Sequence, residues 1–420
     1  MSIDYTLLLL VSLLAIALAL TPPLGRLGLG PNVVLMLVGF VGSEIVVASG
    51  HDTGIRWNQF HEVVIFVLLP VLIFEGALHL DTNVLKRNVT SLLLLAGPGM
   101  LAVASMVAVA LGLGTDVLEG AGWLAAALTG VLLAGTDATS ILARLAGDGV
   151  PSRLRLLVEG ESNFSDAMSV VLFSLLMAIG LAPQTARFAG VPGSLLFTVA
   201  GGLAVGIVAV GMARFLLPRL HDPLGRTVTT LIMVYVTYIV AESTVNVSGV
   251  VALLVLGVGT RSVLRRTRPA DDPGFLLRVW AYKSRLASSF TFLLLGITIH
   301  VQMFEDHWRL MLAGIVILPL ARALMLALLT PWWHWLPGAE RLAPRALLAL
   351  AVCGSPGAVS VALVLSLPLE FPGWYTVQCI VYGVVVFSLL VQTPLVTWAL
   401  RGLKVDSADA DAERASVSAV

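Results

Sequence analysis

Apolar runs of about 20 residues recur along the whole chain, and short polar segments separate them. Each run is long enough to cross a hydrocarbon core of roughly 30 Å as an α-helix. The runs lack the strict alternation of apolar and polar residues that a membrane β-strand shows. Because a bilayer admits only helices and closed barrels, the pattern predicts an all-α polytopic membrane protein.

The same pattern predicts thirteen membrane-spanning helices. Their approximate bounds are 5–21, 32–49, 63–80, 91–113, 122–145, 156–181, 193–217, 227–245, 247–260, 286–303, 310–330, 346–367 and 375–400. The connections between them are short, apart from a basic loop at 261–285. The last segment, 401–420, is rich in small and charged residues, and we expect it to be a disordered cytoplasmic tail.

Two of these spans carry helix-breaking residues in mid-course. The fifth has Gly135, Thr136 and Asp137 at its middle, and the twelfth has Pro356 in a segment flanked by glycines, 354–357. The two spans hold the fifth position in two halves of six helices with opposite topology. Interrupted helices at matching positions of inverted repeats indicate a secondary transporter, with discontinuous helices 5 and 12 crossing at the binding site.

The positive charges orient the chain in the membrane. With thirteen spans, only Arg56, Arg187 and Arg309 would lie on the face that holds the N-terminus. Arg322 falls within a span, and every other lysine and arginine falls on the opposite face. Because positive residues concentrate in cytoplasmic loops, the N-terminus is predicted outside and the C-terminus in the cytoplasm. We expect a multi-pass protein of the cell membrane.

Composition narrows the classes of function further. The chain is 58% hydrophobic and 12% charged, with a formal net charge of zero, whereas a soluble protein carries about 25% charged residues. A nucleic-acid partner is not expected, because the chain has no basic domain. Cys353 and Cys379 lie inside apolar runs, which argues against a disulfide framework or a zinc site. We expect no cofactor, and membrane lipid as the surrounding partner.

Three carboxylates stand at the head of the sixth span, at Glu159, Glu161 and Asp166. Ionisable groups at membrane depth cost roughly 2.5–3.5 kcal/mol each, so each is expected to have a task. Asp166 is the deepest and shares a helix face with Ser162, whereas Glu159 is expected at the cytoplasmic entrance. Carboxylate and hydroxyl oxygens suit a hard cation such as Na⁺. Because burial favours the neutral form of a carboxylic acid, proton and cation would compete for Asp166.

Further polar residues of the spans complete the predicted site. Asp137 and the carbonyl of Thr136 are the natural additional ligands, and Glu75 could line the approach. Arg322 keeps its charge and therefore needs a buried anion, for which we favour Glu161. A helix-packing role for Ser162 and a structural role for Asp137 remain the alternatives.

Several segments of this chain occur together in one known family. They are the third-span segment Leu69–Asp81, Gly135–Asp137 in the fifth span, Glu159–Ser162 with Ser165–Asp166 in the sixth, and Ala241–Ser243, Ser248–Val250, Ala321–Leu324 and Phe387–Gln392 in later spans. With these segments the chain resembles the NhaP-type sodium/proton antiporters of the monovalent cation:proton antiporter-1 family. The resemblance extends over most of the membrane region.

This resemblance implies an architecture and a set of roles. It implies a homodimer whose protomers each form one transmembrane unit, 1–400, with an NhaA/NhaP-like fold. A core bundle at about 91–181 and 310–400 would move against a dimerisation part at about 5–80 and 193–303. Asp166 would exchange cation and proton. The implied co-ligands of Na⁺ are Asp137, Ser162 and the Thr136 carbonyl, with Glu75 close by and Glu161–Arg322 as the core ion pair.

The chain departs from the family pattern at three places. Ser165 stands where the family usually has asparagine before the final aspartate, and Ala138 replaces a proline after the threonine–aspartate pair. The glycine break of the twelfth span, with Gly354, Pro356 and Gly357, has no arginine of its own. We expect Ser165 and this break to shape the site and its ion selectivity.

The leading interpretation is a secondary active antiporter, not an enzyme, that exchanges Na⁺ for H⁺. Li⁺ and K⁺ are possible substrates, so a K⁺/H⁺ antiporter is one alternative. With one exchanging carboxylate at positions 165–166, we expect electroneutral, one-for-one exchange. An intramembrane aspartyl protease that uses Asp137 and Asp166 is a second alternative, and an ion sensor with little transport is a third.

Overall fold

The computed structural model consists of helices and their connections in the residues that it describes. These are 3–25, 30–48, 62–80, 90–114, 122–136, 152–181, 191–266, 273–333, 351 and 354–396. Seven helices within these ranges are long and apolar enough to cross a membrane. The prediction of an all-α membrane protein is confirmed.

Every predicted span contains one helix in the described residues. The first six helices are α1 Ile3–Gly25, α2 Pro31–Ala48, α3 Leu69–His79, α4 Met100–Gly114, α5 Gly122–Ala134 and α6 Ser152–Leu181. The next seven are α7 Val191–Leu216, α8 Pro223–Ile239, α9 Gly249–Arg266, α10 Pro273–Thr298, α11 Val301–Trp333, α12 Ala358–Leu365 and α13 Trp374–Phe387. Single π-helical turns precede α3 and α4 and follow α8 and α13, at Val64–Leu68, Leu95–Gly99, Val240–Val245 and Ser388–Gln392.

The tenth span differs from its prediction. Much of the expected basic loop is helical, because α9 continues to Arg266 and α10 already begins at Pro273. Trp280 explains the difference, since this side chain is fully buried, packs on Phe74 with ring centroids 4.5 Å apart and donates to Thr230 Oγ1 at 3.0 Å. The charged residues of the segment hid an amphipathic helix whose apolar face packs on α3 and α8.

Glycines set the spacing of the main helix pairs. In the pair α2–α10, Gly39 lies against the carbonyl of Leu293, and Gly296 lies against that of Met36. In the pair α4–α5, Gly130 lies against the carbonyl of Ala104. Small residues let the backbones of membrane helices approach closely, and van der Waals contact then stabilises the pair.

The helices pack in two neighbourhoods that meet at α6. One contains α2 with α10, α3 with α9 and α7 with α9, and the other contains α4 with α5, α4 with α11 and α11 with α13. Helix α6 contacts members of both, including α5, α3 and α9. This position places the carboxylates of α6 between the two groups.

Both predicted helix breaks are present. Helix α5 ends at Ala134, and Gly135 and Thr136 are not helical. In the twelfth span, residues 354–357 are non-helical and buried, and α12 begins at Ala358 after an extended Gly357. The two breaks are neighbours, because a Cβ atom at Gly135 would lie only 2.9 Å from the hydroxyl of Ser360 in α12. Backbone and side-chain polar groups are thereby brought together inside an apolar protein.

Candidate functional site

The broken end of α5 is held by hydroxyl groups of α6. Ser162 Oγ donates to the carbonyl of Thr136 at 2.6 Å. Ser165 Oγ accepts from the Thr136 N–H at 3.4 Å, contacts Thr136 Oγ1 at 3.2 Å and donates to the carbonyl of Ser162 at 2.9 Å. Since the proton of Ser165 goes to that carbonyl, the Thr136 hydroxyl donates to Ser165. Ser165 therefore shapes the break with a short hydroxyl side chain.

Asp166 lies one residue further along α6, beside the same break. Its Oδ1 atom is buried and lies 3.7 Å from the place where a Cβ of Gly135 would be. The hydroxyls of Ser169 and Ser360 lie even closer to that place, at 2.7 and 2.9 Å. The absence of a side chain at Gly135 is what lets oxygen atoms from α6 and α12 converge there.

Glu161 and Arg322 form a buried ion pair between α6 and α11. Arg322 Nη2 donates to Glu161 Oε1 at 2.7 Å, and each side chain is only 5% exposed. A charge-assisted bond of this length offsets part of the cost of taking both charges out of water. This carboxylate is thus already neutralised by the protein itself.

The guanidinium of Arg322 also reaches the break of the twelfth span. A Cβ at Gly354 would overlap the Nε, Cδ and Cζ atoms of Arg322, so the guanidinium lies flat against this glycine. Gln392 Nε2 donates to the Gly354 carbonyl at 3.4 Å, and Ser388 Oγ donates to Gln392 Oε1 at 3.0 Å. The break lacks an arginine of its own, but Arg322 supplies a positive charge to it from α11.

Glu75 lies on α3 near the opposite side of α6. Its Oε1 atom is 3.2 Å from His79 Nδ1, and its side chain hydrogen-bonds Ser284 of α10 with Arg285 nearby. Gly76, the next residue, lies in contact with the Asn163 side chain of α6. The structure therefore places Glu75 next to α6 but engaged with the α10 side.

The remaining predicted site residues are accounted for as follows. Pro356 and Gly357 are buried in the break, directly before α12. Asp137 lies outside the described residues. Among the described residues, no three His, Cys, Asp or Glu side chains come together.

Sequence reasoning missed two residues that the structure brings to Asp166. Ser169 follows Asp166 by three residues on the same helix face, so the phase argument that linked Ser162 to Asp166 could have been extended to it. Ser360 had no such signal, because only the packing of α12 against Gly135 reveals its position.

The comparison with known families agrees with this geometry. Residues 10–402 match the family described as "Sodium/hydrogen exchanger, transmembrane". The chain belongs to this family. The sodium/hydrogen exchangers are transporters, and membership decides against the intramembrane-protease alternative. The resemblance to NhaP-type antiporters that the motifs indicated is confirmed.

Several curated proteins resemble this exchanger-family chain. It is 27% identical over 372 residues to the Na(+)/H(+) antiporter NhaS2 of Synechocystis sp. and 31% identical over 344 residues to ApNhaP of Aphanothece halophytica. These alignments cover 88% and 80% of this chain but only 66% and 63% of those relatives. The Na(+)/H(+) antiporter NhaH of Halobacillus dabanensis is 29% identical over 396 residues, which is 91% of this chain and 92% of NhaH.

A solved exchanger structure shares the fold. The sodium proton antiporter MjNhaP1 from Methanocaldococcus jannaschii superposes with a TM-score of 0.77 at 17% sequence identity. The superposition covers 96% of this chain and 100% of the MjNhaP1 chain. The predicted antiporter fold, with thirteen helices and discontinuous helices 5 and 12, is confirmed.

Proposed function

We propose that this chain exchanges Na⁺ for H⁺ across a membrane by alternating access, with the cation and the proton competing for Asp166. The observation that carries the proposal is the position of this carboxylate. Asp166 stands on α6 beside two adjacent helix breaks, with hydroxyl oxygens around it, while the neighbouring Glu161 is already paired with Arg322. A carboxylate in such a place is available to exchange its counter-ion.

The names of the relatives support Na⁺ as the exchanged cation. NhaS2, ApNhaP and NhaH are all named Na(+)/H(+) antiporters, and NhaH is matched over nearly its whole length. Oxygen ligands, one of them a carboxylate, suit Na⁺ and the smaller Li⁺. K⁺ is the alternative cation.

The proposed ligand set starts from Asp166 and extends to the break of the fifth span. Ser162 donates its proton to the Thr136 carbonyl, so its lone pairs still face outward as acceptors, and the carbonyl keeps a second lone pair. Asp137 and Glu75 are proposed as further ligands, with Glu75 acting through water because its side chain bonds His79 and Ser284. Protonation of Asp166 would remove the charge that holds the cation, which couples the two fluxes.

Cation-induced proton flux in everted membrane vesicles tests this function. We expect Na⁺ or Li⁺ to dissipate a preformed pH gradient in vesicles that contain the wild-type protein. The Asp166→Asn variant should be folded and inactive, because an amide holds the place of the carboxylate but neither binds the proton nor supplies the charge. Equal flux in this variant would remove Asp166 from the mechanism. Cation binding without flux in the wild type would favour the ion-sensor alternative.

We also propose that exchange is electroneutral, one cation for one proton. Ser165, the residue before Asp166, is a hydroxyl that hydrogen-bonds Thr136 and carries no charge, so the pair of positions offers one exchanging carboxylate. Purified protein in proteoliposomes should show rates that do not respond to an imposed membrane potential. A rate that follows the potential would contradict this stoichiometry.

The membrane location, the orientation, the dimer and the moving core are also proposals. We propose a cell-membrane location with the N-terminus outside, in line with the charge distribution. Exposed apolar side chains on α1 and α7, including Ile16, Leu196, Phe197 and Ile207, would face lipid or a second copy in a homodimer. The proposed moving core is the bundle at about 91–181 and 310–400, which contains α4 to α6 and α11 to α13. Chemical cross-linking of single-cysteine variants on α7 would test the dimer.

A further inference from the structure

Several hydroxyl groups in the described helices donate to a carbonyl of their own helix. The hydroxyls of Thr129, Thr291 and Thr330 each donate to the carbonyl four residues earlier, at 2.8, 2.9 and 2.6 Å. Ser169 and Ser360 differ from this pattern. Both are 0% exposed, and neither hydroxyl has a hydrogen-bond partner among the described residues. A native structure rarely leaves such groups unsatisfied unless a water or an ion completes them.

The two unsatisfied hydroxyls point to one place. They come from different helices, α6 and α12, and both approach Gly135, within 2.7 and 2.9 Å of its missing Cβ. Asp166 Oδ1 is 3.7 Å from the same point. Three oxygen atoms from two helices thus surround the first residue of the α5 break.

The chemistry of this cluster suits a cation better than an anion. It combines a carboxylate with two hydroxyls that have no hydrogen-bond partner among the described residues, and all three groups offer oxygen lone pairs. The other hydroxyls beside Asp166, those of Ser162 and Ser165, already hold Thr136 in place. Ser169 and Ser360 could therefore bind a cation without losing a hydrogen bond that holds the structure together.

We propose that Ser169 and Ser360 are ligands of the transported cation at Asp166. This inference rests on the proposed exchange at Asp166 and extends its site from the fifth and sixth spans to α12. The cation would then lie between the two broken helices and bind oxygen atoms on both sides. Gly135 would be required at its position because a side chain there would occupy the space next to both hydroxyls.

The test compares Ser169→Ala and Ser360→Ala with a matched control, Ser366→Ala. Ser366 is also buried and follows α12, but its hydroxyl donates to the Leu363 carbonyl at 2.7 Å. We expect each of the two variants to raise the apparent KM for Na⁺ about tenfold in proteoliposomes with an unchanged maximal rate, because each removes one ligand. The control should keep the wild-type KM.

Thermal unfolding with and without Na⁺ measures cation binding independently of transport. Na⁺ should raise the thermal midpoint of the purified wild-type protein, and this shift should shrink in both serine variants but not in the control. Because Ser→Ala removes an unsatisfied buried hydroxyl, the variants should fold at least as well without Na⁺.

The possible results separate this inference from the function on which it rests. Wild-type flux with KM values for both variants within twofold of wild type would overturn the ligand role alone. A changed pH profile with an unchanged KM for Na⁺ would also overturn it, because the hydroxyls would then hold a proton-carrying water. If the wild-type protein shows no flux and no Na⁺-dependent stabilisation, the proposed function itself is rejected.

Discussion

Helix α6 presents two carboxylates five residues apart, the buried Glu161 and the half-buried Asp166, and their surroundings differ. Glu161 has a permanent cation, Arg322, at 2.7 Å on a neighbouring helix. Asp166 is surrounded by hydroxyl oxygens and by the broken ends of the fifth and twelfth spans. Glu161 is held by Arg322, a side chain of the protein itself. The second carboxylate, Asp166, lies near the hydroxyl groups that are proposed to bind the transported cation.

This difference separates a carboxylate that stabilises the helix bundle from one that is proposed to bind the substrate cation. An ion pair that is buried on both sides resists separation, because either partner alone would be an uncompensated charge in an apolar interior. Asp166 is proposed instead to alternate between a cation-bound and a protonated state. Substitutions at the Glu161–Arg322 pair should therefore mainly lower the thermal stability, and substitutions beside Asp166 should mainly lower the Na⁺-driven proton flux.

The largest effect is expected from Arg322→Met. Removal of the guanidinium leaves Glu161 buried and unpaired, which should lower the free energy of unfolding by about 3–5 kcal/mol. Thermal unfolding of the purified protein in detergent measures this loss. The control is the double variant Glu161→Gln with Arg322→Met, which removes both charges and should recover most of the midpoint. If the single and double variants unfold at the same temperature, the pair does not hold the core.

A smaller effect is expected from Gly354→Ala. The added methyl would collide with the Arg322 side chain and push it away from the break and from Glu161. Overpacking of this kind should cost about 1–3 kcal/mol of stability. Gly211→Ala on α7 is the matched control, because no atom lies within 4 Å of a Cβ there. Equal midpoints for the two variants would mean that Arg322 is not confined against Gly354.

The smallest effect on stability is expected on the Asp166 side, from Ser165→Ala. This change removes the hydroxyl that accepts from Thr136 and donates to Ser162, and it should cost about 1 kcal/mol. The rate of Na⁺-driven proton flux should fall more clearly than the thermal midpoint, because the N–H and the hydroxyl of Thr136 lose their acceptor beside the site. Ser165→Thr keeps the hydroxyl and serves as the control. A lowered midpoint with normal flux would contradict the assignment of this residue to the site.

The sequence was sufficient to predict the architecture but not all of the site. Apolar runs, helix-breaking residues and the distribution of arginines depend on local composition, so the thirteen helices and both breaks followed from them. The segment at 261–285 misled the prediction, because its charges concealed the buried face of α10 around Trp280. The partnership of Glu161 with Arg322 was expected because Arg322 needs a buried anion and because Glu161 points away from the Asp166 face of its helix.

Contacts between spans that are distant in sequence could not be predicted from local sequence patterns. The break at 354–357 contains no arginine, and only the packing of α11 shows that Arg322 lies against Gly354. The convergence of Ser360 on Gly135 likewise depends on how the two broken spans meet. Neither contact leaves a periodic pattern in the chain, because each joins residues of helices far apart in sequence.

The hydrogen bonds between α6 and Thr136 also constrain how the protein moves. Ser162 and Ser165 bind the carbonyl, the N–H and the hydroxyl of Thr136. A displacement of α6 that left Thr136 behind would expose these polar groups to an apolar interior, at roughly 1–3 kcal/mol for each. In the proposed exchange, the tip of α5 and the Asp166 segment would therefore move as one rigid block, and access from either side of the membrane would change at the surfaces of this block.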